Sequence, residues 1–182
     1  MTNKIISPLT LSVLIVLFFT ACVKNTDFEQ GENVVLTPTI DLNLIYFNLR
    51  TEDFYDSITA TPILTLRDTT KVKFLDDSTL MKNLKRAEFY FKFTNSIPRD
   101  FQVDFQFLSE FNDTTYVTET GVNQGTTAVP VETEFIENVE GNAISELTKA
   151  NKVVVSVTIP AGSDSLDGVL NLKSMATYYF EN

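Results

Sequence analysis

Histidine and tryptophan are absent from this 182-residue chain, and cysteine occurs once, at Cys22. Without His, the Ser–His–Asp and Cys–His nucleophilic arrangements are excluded. His-ligated zinc is excluded too, and a single Cys cannot complete a Cys-ligated site. No intrachain disulfide can staple the fold. Without Trp, the broadest ring for stacking on a sugar is missing. Cations are also scarce, with 14 Lys and Arg against 24 Asp and Glu and a net charge of −10. Nucleic acid is therefore not an expected partner, because binding it means neutralising phosphates with Lys and Arg. Anionic lipid offers such a chain no electrostatic attraction either.

The N-terminus is rich where the rest is sparing. "MTNKIISPLTLSVLIVLFFTAC" opens with Lys4, runs apolar from Val13 to Phe19, and closes with the small residues Thr20 and Ala21 before Cys22. Charge, apolar core and small residues are the parts of a secretory signal peptide. The apolar run is short of the roughly 20 residues a membrane span needs. An ordinary signal peptide has no use for Cys22, and a lone thiol is an odd thing to keep in an oxidising compartment.

Phe19, Thr20, Ala21 and Cys22 resemble the lipobox of bacterial lipoproteins, with Phe19 standing where Leu is usual. The resemblance implies that residues 1–21 are removed and that Cys22 becomes an acylated N-terminus. Each buried methylene contributes about 0.8 kcal/mol, so one chain binds marginally while two or three anchor stably. The other reading is a plain signal peptide with an incidental Cys. Residues 22–33 then form a polar tether. Asp27 and Glu29 resemble the surface-export signal of Bacteroidetes lipoproteins, or are simply part of a solvated linker.

Residues 34–182 are expected to form one domain. Its 13 Phe residues outside the leader, of 15 in all, suit a sheet-packed core. Ile40, Leu42 and Leu44 alternate with polar residues, and the phase slips at Ile45, which predicts a bulged strand. "RTEDFYDSITATP" is a long connection, and "ILTLRDTTKVKFLDD" reads as two short strands about a turn at Asp68–Thr70. "AEFYFKFTNSIPRDFQVDFQFLS" reads as a hairpin about Pro98, with Phe91 beside Phe105, Phe89 beside Phe107, and Lys92 opposite Asp104 on the outer face. "TTYVTET" and "VETEFIEN" are further strands. Ala143, Ile144, Leu147 and Ala150 mark a short helix capped by Asn142. "KVVVSVTIP" and "GVLNLKSMATYYF" close the chain as strands.

Two stretches echo each other. Leu84, Arg86 and Ala87 match Leu147, Lys149 and Ala150, each set preceding or opening a long strand. Either a duplication or convergence on one useful connection explains this, in which a short helix crosses the end of a sandwich.

Ser57, Thr69, Ser78, Thr114 and Ser165 each follow an Asp and precede a methyl-bearing residue. The form resembles the O-glycosylation sequon of Bacteroidetes. It is equally turn chemistry leading into a strand. Gly162–Gly168, "GSDSLDG", supplies too few oxygens for calcium, and Asp76–Asp77 reads as a turn and helix start. No metal, cofactor or catalytic residue is expected.

The chain is thus expected to be an all-β antiparallel sandwich, Ig-like or Greek-key, with one or two short crossing helices. As a whole it resembles the uncharacterised lipoproteins of flavobacteria and related Bacteroidetes. That resemblance implies the outer membrane, at its periplasmic face or the cell surface, held through the lipid anchor. The leading expectation is a non-catalytic binding, adhesion or assembly module with a protein or glycan partner. The alternative is a glycosidase-like surface hydrolase using two carboxylates.

Overall fold

The computed structural model describes residues 37–72, 82–160 and 167–181. In chain order the elements are β1 (Thr39–Arg50), a 3₁₀ turn (Thr51–Phe54), β2 (Tyr55–Asp56), β3 (Thr61–Pro62), β4 (Thr65–Lys71), β5 (Leu84–Asn95), β6 (Phe101–Leu108), β7 (Thr114–Val122), β8 (Val131–Glu140), α1 (Asn142–Leu147), β9 (Lys152–Thr158) and β10 (Val169–Phe180).

Period-two sequences make one apolar face per strand, and two such faces close on each other. The first sheet runs β1-β10-β5-β8 and the second β4-β9-β6-β7, while β2-β3 is a small separate ladder. Neighbours in both large sheets are antiparallel. Eight strands in these orders are a jelly roll, the sandwich of two Greek keys. The Greek-key expectation holds, and the Ig-like one gives way to it. Phe89, Phe91, Phe93, Phe105 and Phe107 are fully buried between the sheets, with Leu170 and Leu172 beside them.

Lys92 and Asp104 are not opposite each other, because β5 and β6 are not a hairpin. The strands lie in different sheets and share no ladder. The chain arches over between them, so Phe91 and Phe105 meet across the core with ring centroids 4.1 Å apart, and Phe89 and Phe107 at 5.2 Å. Lys92 therefore faces out from one sheet and Asp104 from the other. Asp104 has Ser156 and Glu119 as its register partners.

Asn95 buckles this arch from a fully buried position. Its amide donates to the carbonyls of Arg99 and Asn123, each at 2.9 Å, and its oxygen accepts from Ile97 N–H at 2.8 Å. Two glycines let neighbouring backbone press in. A Cβ on Gly125 would lie 1.9 Å from the Asn95 carbonyl oxygen, and one on Gly168, whose φ is +137°, would lie 2.4 Å from that of Ser96.

The bulge at Ile45 is present, with the register breaking between Asn43 and Tyr46. Ser174 fills the gap: its hydroxyl accepts from Ile45 N–H and donates to Ile45 C=O, both at 2.8 Å. Two other expectations change. "ILTLRDTTK" holds one strand, β4, with Asp68 inside it rather than in a turn. Asp68 shares a row with buried Val155 yet is itself exposed, since β4 is an edge and no described strand lies on its outer flank. Helix α1 starts after Gly141, with no side-chain cap; Asn142 is its first residue rather than its cap. The long connection after β1 is present and contains the 3₁₀ turn and the β2–β3 ladder.

Both echoed connections cross between sheets, β4 to β5 and β8 to β9. Exchanging β4 with β8, β5 with β9, β6 with β10 and β7 with β1 converts one sheet order into the other. The winding itself carries that two-fold relation, so the echo needs no more than two equivalent corners.

Candidate functional site

The outward face of the β1-β10-β5-β8 sheet carries large apolar and aromatic side chains where polar ones belong. Ladder register places Asn43, Met175, Tyr90 and Ile136 in one row across the four strands. The adjoining row is Tyr46, Lys173, Lys92 and Glu134. Tyr46 is 64% exposed, Ile136 53% and Met175 39%. Tyr90 and Met175 in this row are of residue types enriched where protein surfaces meet.

Polar contacts fix the rings. Asn48 donates its side-chain amide to the Tyr46 hydroxyl at 2.5 Å, and Asn171 donates to Asn48 Oδ1 at 2.7 Å. Glu134 accepts from the Tyr90 hydroxyl and holds that phenol above its ordinary pKa. Lys92 bridges Glu132 at 3.0 Å and Glu134 at 3.9 Å, and its hydrogen bond to Glu132 raises its pKa. Arg86 lies over the Tyr179 ring, 3.8 Å from the centroid, and reaches Glu88 at 3.3 Å. The face is thus an apolar row with a charged surround, the arrangement in which rim groups exclude water from a central contact.

On this sheet one carboxylate takes the inward parity. Glu137 on β8 accepts from Tyr116 and from Thr118, the latter at 3.0 Å, tying the edge of one sheet to the edge of the other. Burial, then Glu137, push the Tyr116 phenol up, so it stays protonated and acts as a donor rather than a nucleophile. A shallow depression of about 430 Å³ lies between Asp100, Gln102, Asn123 and Thr158. Its one carboxylate, Asp100, accepts from Gln124 N–H at 2.7 Å. Among the described residues no three acidic or thiol groups gather as a metal would require.

The residues singled out in the sequence lie elsewhere and are not brought together. Ser57 sits on an exposed turn whose Asp56 accepts from Thr59 and from Ile58 N–H, which lowers the Asp56 pKa. Thr69 is exposed but lies within β4, and Thr114 opens β7, where Gln106 donates to its hydroxyl at 2.6 Å. Neither is on a turn, because a strand can carry Asp–Thr wherever one flank faces water. Cys22, Ser78, Ser165 and Asp76–Asp77 lie outside the described residues, as does most of Gly162–Gly168.

Tyr46, Tyr90, Ile136 and Met175 were not apparent as a group. Each is an apolar residue on the polar parity of a strand, and that is the signal that marks them.

No family model matches the chain, and no curated protein matches it. Solved structures resemble it in fold. A protein of Parabacteroides distasonis ATCC 8503, classed as secreted and from a Bacteroidetes member, is 11% identical with a TM-score of 0.46, over 63% of this chain and 38% of that one. The infectious bursal disease virus structure of the Gx strain is 10% identical at a TM-score of 0.44, over 81% and 33%. The enzymatically active domain of bacteriophage CBA120 tailspike protein 4 is 11% identical at 0.39, over 84% and 21%. The chain thus spans well under half the length of each. Among the described residues no helix is long and apolar enough to cross a membrane.

Proposed function

We propose that this protein is a lipid-anchored, exported envelope module that works by binding, with the outward face of the β1-β10-β5-β8 sheet as its contact surface. The row Met175–Tyr90–Ile136, flanked by Tyr46, carries this reading. Exposed apolar groups set in a charged surround favour association over solvation. Cys22 supplies the anchor, residues 22–33 the tether, and the outer membrane the site of action. The depression beside Asp100 holds a single carboxylate, which lends the hydrolase reading no support.

Two measurements test it. Cys22→Ser should move the protein from the membrane fraction to the soluble one; retention in the membrane removes the anchor. A photo-cross-linking residue at Ile136 or Met175 should give adducts in living cells, and one at Val117, exposed on the other sheet, should not. Adducts from Val117 alone, or from none of the three, would remove the contact surface.

A further inference from the structure

β8 is an edge of its sheet. β5 pairs with it on one side, and among the described residues no strand lies on the other. The other edges carry features that blunt pairing. β1 is bulged between Asn43 and Tyr46. β4 points Asp68 inward. The ladder of β7 slips at Phe107/Leu108. β8 keeps register with β5 without a shift, from Arg86↔Glu140 to Asn95↔Val131. A long regular edge presents backbone donors and acceptors ready for another strand.

We propose that the β8 edge docks an extended, cationic segment of another protein. The proposal rests on the reading of this sheet as a contact surface and narrows it to one edge and one chemistry. Charge decides the occupant. The outward side chains of β8 are Glu132, Glu134, Ile136, Asn138 and Glu140, which include three carboxylates and no cation. On β5, Lys92 is shared between Glu132 and Glu134, while Arg86 divides itself between Glu88 and Asn138. Carboxylates therefore outnumber cations along this rim. The next strand position outward is where opposite charge would be favourable.

A second copy paired antiparallel about Ile136 sets Glu132 against Glu140 and brings no cation to this rim. A segment with Lys or Arg at alternate positions about one apolar residue does fit. Its cations fall beside Glu132, Glu134 and Glu140, and its apolar residue falls beside exposed Ile136. The inward carboxylate, Glu137, is already engaged by Tyr116 and Thr118, which leaves recognition to the outward row.

The test uses the purified full chain at physiological salt and a fluorescent synthetic peptide alternating Lys with Thr about a central Val. A second peptide keeps the side chains but is N-methylated along its pairing edge. A third replaces Lys with Glu. The first should bind saturably, and the other two should bind about tenfold more weakly or not at all. Glu132→Gln with Glu140→Gln should weaken the first peptide about tenfold while thermal melts still show a cooperative fold. Amide exchange should slow within 131–140 when the peptide is bound. Absence of saturable binding, indifference to N-methylation, or protection on β1, β4 or β7 instead of β8 overturns the proposal. Cross-links from Ile136 in cells without peptide binding would leave the contact surface standing and remove this occupant.

Discussion

Phe91 and Phe105 stack 4.1 Å apart although their strands share no hydrogen bond. The contact joins the two sheets through their centre, and Phe91 also stacks on Phe135 of the neighbouring strand at 5.9 Å. Phe91→Ala should destabilise the fold by about 3–5 kcal/mol, as large-to-small core changes do. A double-mutant cycle with Phe105→Ala should show coupling of about 1 kcal/mol. Denaturant melts of the four proteins measure both. A loss below about 1 kcal/mol for Phe91→Ala would place it outside the core.

Asn95→Ala should cost about 3 kcal/mol, because it strands the buried Ile97 N–H and takes the donors from two carbonyls. Gly125→Ala should be at least as damaging, its methyl meeting the backbone oxygen of the same Asn. Equal Tm values for either variant and the parent would show that the arch is held by something else.

Ser174→Ala should cost about 1–3 kcal/mol, since the hydroxyl satisfies both backbone groups of Ile45 within the bulge. Ser174→Val leaves the same groups unsatisfied and adds bulk, so it should cost more. Urea melts decide the order, and a neutral Ser174→Ala would mean the bulge is self-sufficient.

Burial raises the pKa of the Tyr178 phenol above its unfolded value near 10. The folded state then keeps a proton that the unfolded state releases. Its contribution is full below about pH 10 and is lost as pH rises further. Stability should therefore fall as pH rises above about 10, and Tyr178→Phe should flatten the decline. Urea midpoints at stepped alkaline pH measure it. An identical slope in both proteins would assign the loss to other groups.

Met175→Lys and Ile136→Lys should each change stability by less than about 0.5 kcal/mol, because neither side chain is buried. The same changes should abolish the cross-links of the outward face. Thermal melts and cross-linking on one preparation separate the two effects.

Much of this fold is visible in alternation alone. β1 with its bulge, β5, β6, β9, β10 and the apolar stripe of α1 all appear as apolar periods, because burial acts on each strand separately. The hairpin reading of β5 and β6 fails for a reason that alternation cannot detect. Mirror pairing about Pro98 brings Phe91 to Phe105 whether the chain folds flat within one sheet or arches between two. Only the outward residues differ, and Lys92 goes to Glu132 and Glu134 instead of Asp104. Asp68 misleads similarly, since its aspartate is turn chemistry in a central segment and harmless on an edge. The outward row stayed hidden because Tyr90 lies between buried Phe89 and Phe91, and Ile136 follows half-buried Phe135, so both look like more core.

The first strand of this domain is completed by its last. β1 pairs only with β10 among the described strands, and Asp41 bonds Thr177 across 136 residues of chain. β1 therefore has to wait during synthesis, unpaired and largely apolar along one side, until β10 has followed it. Closure over so long a loop is slow, and a waiting strand invites wrong partners. Truncation before Val169 removes the only described strand that pairs with β1, and should leave an aggregation-prone remnant rather than a smaller domain.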